Sequence, residues 1–145
     1  MSRATRLQPV RNLADDAERK AALRVAAAER VQHEAEGKLA DLERYADDYQ
    51  RQYTDRVANG IGVTELRDYQ AFLARLAEAV RQQRAIVSRT QHDCAAERLR
   101  WQEAAKRSKA LDHVADQWRN EERCAADRQE QREIDERALR GRVER

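Results

Sequence analysis

A single proline and four glycines leave this 145-residue chain almost without places to turn. Meanders and sandwiches need turn residues about every ten positions, and here only Gly60 and Gly62 form a close pair. Aromatics make up 5% of the chain and charged residues 39%, so the large side chains that fill a compact interior are scarce. Charge of one sign is lacking too, since 29 Lys and Arg nearly balance 27 Asp and Glu. Phosphate binding needs a concentrated basic face, so nucleic acid is not an expected partner. No apolar run approaches the roughly 18 residues that cross a bilayer, and residues 1–16 lack the apolar core of a secretion signal. The expectation is a cytoplasmic protein without direct membrane insertion. Cys94 and Cys124 stand far apart, without ligand spacing, and are expected to be reduced thiols on helices.

What is abundant is Ala, Glu, Arg and Leu, the composition of long helices. A mean hydropathy of −1.04 would also suit a disordered chain, but that reading needs a large net charge, and here opposite charges can pair along helix faces. Apolar spacing argues the same way. Steps of seven from Leu7 give Leu7, Ala14, Ala21, Ala28, Ala35, Leu42 and Tyr49. The expected companion column is Val10, Ala17, Arg24, Val31, Lys38, Tyr45 and Gln52, with Val25, Leu39, Ala46 and Tyr53 widening the seam on one side. Pro9 is expected in the first turn of this helix, where its missing N–H costs nothing.

Residues 58–63 interrupt the pattern with Asn59, Gly60 and Gly62, and Thr64 and Glu65 suit the start of a second helix. From there one column reads Leu66, Leu73, Val80, Val87, Cys94, Trp101, Ser108 and Ala115. The other reads Tyr69, Leu76, Gln83, Thr90, Glu97, Ala104, Leu111 and Trp118. The predicted fold is all-α: two long helices, about 7–57 and about 64–138, in one antiparallel coiled-coil hairpin with a C-terminal helical overhang. Residues whose numbers sum to about 121 should then lie level across the seam, which pairs Arg24 with Glu97. That pair either fixes the register or lies at the seam edge with both side chains reaching water. Beyond Trp118 the second helix has nothing to pair with, leaving either a solvated tail or a rod end that binds a partner.

Catalytic chemistry is not legible. His33, His92 and His113 are scattered, and no metal-binding His pair, phosphate-cradling glycine loop or nucleophile elbow is present. Adjacent carboxylates such as Asp15 and Asp16 lie among arginines on wet helix faces. No enzyme activity and no cofactor are expected.

The aromatics gather near the turn: Tyr45, Tyr49, Tyr53, Tyr69 and Phe72. On a charged rod such a patch either widens the seam or docks a partner. The stretch Tyr45-x3-Tyr49, then Asn59-Gly60-Ile61, then Tyr69-Gln70-x-Phe72-x3-Leu76-x2-Ala79 closely resembles the FliJ family of the bacterial flagellar type III export apparatus. Chain length, turn position and two-helix layout match throughout. The resemblance implies a cytoplasmic rod, similar to the central stalk subunit of rotary ATPases, peripheral at the inner membrane. It would act with the hexameric export ATPase FliI, the export gate FlhA and export chaperones. It also implies a gate-binding surface at Tyr45, Tyr49, Phe72, Leu76 and Ala79, with position 83 in doubt because some relatives carry His where this chain has Gln83. The other end, with Leu7, Val10, Leu111, Val114 and Trp118, would face the ATPase ring. Alternatives are the stalk of a virulence type III secretion system and a self-associating structural coiled coil.

Overall fold

A computed structural model describes residues 2–144. Among them the chain forms two helices that pack against each other as a hairpin, α1 (Arg3–Asn59) and α2 (Val63–Val143). Both start earlier than the apolar columns alone suggest, because capping groups lie outside those columns. At the start of α1, Ser2 Oγ accepts a hydrogen bond from the Thr5 amide at 3.1 Å, satisfying one of the amides that a helix start leaves unpaired. Pro9 is therefore inside α1 rather than in its first turn. At the turn, Gly60 takes a φ of 92°, the left-handed conformation in which a side chain would be strained. The Gly62 carbonyl accepts the Leu66 amide at 2.9 Å, so α2 begins one residue before the expected Thr64. Glu65 lies in its first turn and pairs with Arg56 of α1, where the helix dipole favours an acid.

Gly37 interrupts an otherwise Ala-rich helix. It is exposed, and a Cβ there would meet nothing within 4 Å. The variant Gly37→Ala should therefore stabilise the protein by about 1 kcal/mol through helix propensity and a less flexible unfolded chain. A rise of about 2–4 °C in the thermal midpoint is the corresponding readout.

The helices divide into two compact units: Ala21–Trp101, which contains the turn, and residues 2–20 with 102–144. In the turn unit, the α2 columns face inward as expected, with Leu76, Val80, Gln83, Val87, Thr90 and Cys94 all buried. The α1 column containing Ala21 and Ala35 is buried too. Its expected companion is not. Val31 is 54% and Tyr45 52% exposed, and Arg24 and Lys38 are also exposed. The inward companion is Val25, Gln32, Leu39, Ala46 and Tyr53, none of which is exposed. Residues three and four ahead of a given position lie on opposite sides of it. The side carrying Leu39, Ala46 and Tyr53 has more apolar area to bury than the side carrying Lys38 and Gln52.

The Arg24 and Glu97 charges meet at this seam edge, but Nε and Oε2 are 3.6 Å apart and the Arg24 side chain is 55% exposed. Glu97 sits deeper, and its Oε2 has no hydrogen-bond partner, while Oε1 accepts from Arg100 at 2.8 Å. Gln83 donates through Nε2 to the Ala35 carbonyl at 2.9 Å. The middle of the seam is thus polar: Gln32, Gln83, Thr90 and Glu97 occupy positions that apolar residues fill nearer the turn.

In the other unit, α1 turns Ala4, Leu7, Arg11, Ala14 and Glu18 inward, against Ala104, Ser108, Leu111, Ala115 and Trp118 of α2. Val10 is 48% exposed rather than in the seam. Arg11, with only 16% of its side chain exposed, pairs with Asp112 at 2.8 Å, and Ser108 donates to Asp15 at 2.6 Å. Contacting residues have numbers summing to 123 in this unit and to 121 at Arg24 and Glu97 in the turn unit, close to the expected 121. After Glu122, every described residue of α2 is exposed.

Candidate functional site

Near the turn the five aromatic rings form one connected ladder. The Tyr49 and Phe72 centroids are 4.5 Å apart and those of Tyr49 and Tyr69 5.2 Å. Tyr69 continues to Tyr53 at 5.7 Å. Tyr45 contacts both Tyr49 and Phe72 at 6.2 Å, meeting Phe72 edge-on. Heptad spacing produces the ladder: Tyr45, Tyr49 and Tyr53 recur every four residues along one side of α1, while Tyr69 and Phe72 are three apart on α2. Such contacts add about 0.5–1.5 kcal/mol per pair beyond area burial and hold the rings in place.

The sequence-derived surface therefore separates into layers. Tyr45 is the exposed ring, at 52%. Tyr49, Phe72 and Ala79 are half-buried and support it. Leu76, 7% exposed, and Gln83, 9% exposed, belong to the seam, and the Gln83 amide is committed to the Ala35 carbonyl. Position 83 thus shapes the surface from beneath. Tyr53 and Tyr69 complete the ladder, and Gln70 donates to the Tyr53 hydroxyl at 3.3 Å. The four-residue spacing of the tyrosines carried that signal in the sequence.

Beside Tyr45 runs a shallow groove lined by Lys38, Asp41, Leu42 and Gln83, continuing past Val31 and Ile86. Ile86 is 43% exposed. Neither Val31 nor Ile86 stood out in the sequence as a surface residue, because Val31 was placed in the seam column three after Ala28.

In the unit that holds residues 2–20, Leu7, Leu111, Val114 and Trp118 are half-buried. Arg3 lies over the Trp118 ring at 5.0 Å and pairs with Glu121 at 2.9 Å. A cation over an indole face is attracted by its π electrons, so Arg3 covers the last large seam residue and reaches past it to Glu121, beyond the Trp118 limit that the columns predict for pairing.

Among the described residues no group of three His, Cys, Asp or Glu side chains could hold a metal, and no helix is long and apolar enough to cross a membrane. A paired-helix hairpin, with one exposed ring on a packed aromatic ladder, defines the class as an all-α helical hairpin. The family model described as Flagellar FliJ protein matches residues 2–143, and the chain belongs to that family. At the family level this makes it a component of the flagellar export apparatus. Searches among curated proteins and among solved structures return no match.

Proposed function

We propose that this protein is a non-catalytic stalk of the flagellar export apparatus, coupling the export ATPase FliI to the export gate FlhA and assisting export chaperones. It would work in the cytoplasm, peripheral at the inner membrane. The observation that carries the reading is Tyr45, an exposed ring on a ladder of packed rings. Its conformational freedom is already spent inside the hairpin, so less is lost when a partner covers it. Phe72, Tyr49 and Ala79 extend that gate-facing surface, and Leu76 and Gln83 set its shape from the seam. Val10, with Leu7, Leu111, Val114 and Trp118 behind it, forms the surface assigned to the ATPase.

Tyr45→Ala tests this. The ring is half in water, so its loss leaves the seam intact and helicity by circular dichroism should not change. Affinity for the gate should fall at least about tenfold, the usual scale for an interface aromatic, with binding to FliI unchanged. Wild-type affinity for the gate in calorimetry would remove Tyr45 from the interface and the gate-facing surface with it.

A further inference from the structure

The central column of α1 is flanked by two alternative companions, and the two units have opposite preferences between them. In Ala21–Trp101 the companion in use is the more apolar one. In residues 2–20 it is the less apolar one: Arg11 and Glu18 stand at seam positions, while Val10 is 48% exposed and Ala17 is exposed as well. We infer that the first turns of α1 have a second register on α2, in which Val10 and Ala17 turn inward and Arg11 and Glu18 turn out.

The size pattern of α2 specifies the slip. In the observed register Leu7 is level with Ala115, Arg11 with Leu111, Ala14 with Ser108 and Glu18 with Ala104. A slip of three residues, about 4.5 Å at 1.5 Å per residue, sets Leu7 level with Trp118, Val10 with Ala115, Ala14 with Leu111 and Ala17 with Ser108. Each of these four layers then lacks a charged residue, and Val10 against Ala115 and Ala14 against Leu111 match large with small, while Ala4 moves from Trp118 to the level of Glu121. A slip of four in the opposite direction sets Leu7 against Leu111 and Ala14 against Ala104 and leaves Trp118, the largest seam residue of this unit, without a level partner on α1. Sequence thus favours one alternative over the other.

A three-residue shift of heptad pattern is accommodated by local overwinding, here together with a lengthening of α1 by about 4.5 Å relative to α2 at 1.5 Å per residue. The seam stretch with least to lose is the polar one around Gln32, Thr90 and Glu97, where Glu97 Oε2 is buried without a hydrogen bond. The contacts that hold the observed register include Arg11 on Asp112, Ser108 on Asp15, and Arg3 on Glu121 and over the Trp118 ring, partly exposed contacts that a partner's differential affinity can offset. The two registers present different α1 faces, apolar at Val10 and Ala17 or charged at Arg11 and Glu18. A partner that reads one face selects one register.

Cross-linking of the full chain decides the matter. With Cys94→Ala and Cys124→Ser as background, three cysteine pairs are oxidised at low concentration: Ala14→Cys with Ser108→Cys for the observed register, with Leu111→Cys for the slipped one, and with Ala104→Cys for the opposite slip. The first two should form intramolecular disulfides at rates within about tenfold of each other, and the third at least about tenfold more slowly than either, since a disulfide forms only between level Cβ atoms. Adding Arg11→Leu and Glu18→Leu should suppress the Leu111 cross-link about tenfold and leave the Ser108 one, by making the observed seam the apolar one. Cross-linking of the Ser108 pair alone overturns the inference. So do equal rates for the Leu111 and Ala104 pairs, which report fraying, and a Leu111 rate indifferent to the leucine substitutions.

Discussion

Replacing Leu76 by alanine should lower stability by about 2–3 kcal/mol, the low end of the range for a buried leucine, because two helices can close partly over the gap. The thermal midpoint should fall by about 5–10 °C. Leu76 is 7% exposed in the seam, level with Ala46, whereas Leu13 is 71% and Leu23 70% exposed. The same truncation at Leu13 or Leu23 removes almost no buried area and exchanges one good helix former for a better one, so the midpoint should stay within about 1 °C. Thermal circular dichroism of the three variants makes the comparison. A loss at Leu23 equal to that at Leu76 would mean that the outer face of α1 is covered in solution.

A charge at Ala115 should open one unit and spare the other. Ala115 is 0% exposed, and an aspartate there is too short to bring its carboxylate to water past the facing helix. Its uncompensated burial costs about 3 kcal/mol or more. Hydrogen exchange in Ala115→Asp should accelerate about a hundredfold for amides 7–14, as α1 leaves α2 in that unit. Amides 73–80 should exchange as in the wild type, because the layers holding them, Leu42 with Val80 and Ala46 with Leu76, are untouched. Acceleration throughout the chain would show instead that the two units open as one.

The all-α hairpin and both α2 columns were legible in the sequence because Leu66, Leu73, Val80 and Val87 keep one apolar step of seven and carry the register through the polar members of the companion column. The turn was legible because Gly60 and Gly62 are the only close glycines. The inward face of α1 was legible only by half. An alanine column such as Ala14, Ala21, Ala28 and Ala35 is small on every side, and columns three and four residues ahead of it are similarly mixed in polarity. What decides between them is the bulk of Leu39, Ala46 and Tyr53 against Phe72, Leu76 and Val80, a property of the pair of helices rather than of α1. The start of α1 was missed because Ser2 capping through the Thr5 amide is a single side-chain bond without a heptad signature. For the candidate surface, the ring cluster could be read from spacing, but its layering could not. Gln83 falls in the seam column by spacing, but only the Ala35 carbonyl across the seam shows what its amide bonds there.

Past Glu122, α2 consists of side chains that all meet water, held by contacts within the helix such as Arg123 to Asn120 and Gln131 to Asp135. Each such contact is worth about 0.2–0.5 kcal/mol, comparable to thermal energy, so fraying of this stretch is expected on the microsecond timescale of helix–coil relaxation. Its helicity is then set by solvent more than by fold: raising salt screens the charge pairs and melts it first. A partner docked there would hold the helix against fraying, and its affinity would contain the entropy of that ordering. Osmolytes that favour compact backbone would strengthen such a contact without touching the interface itself.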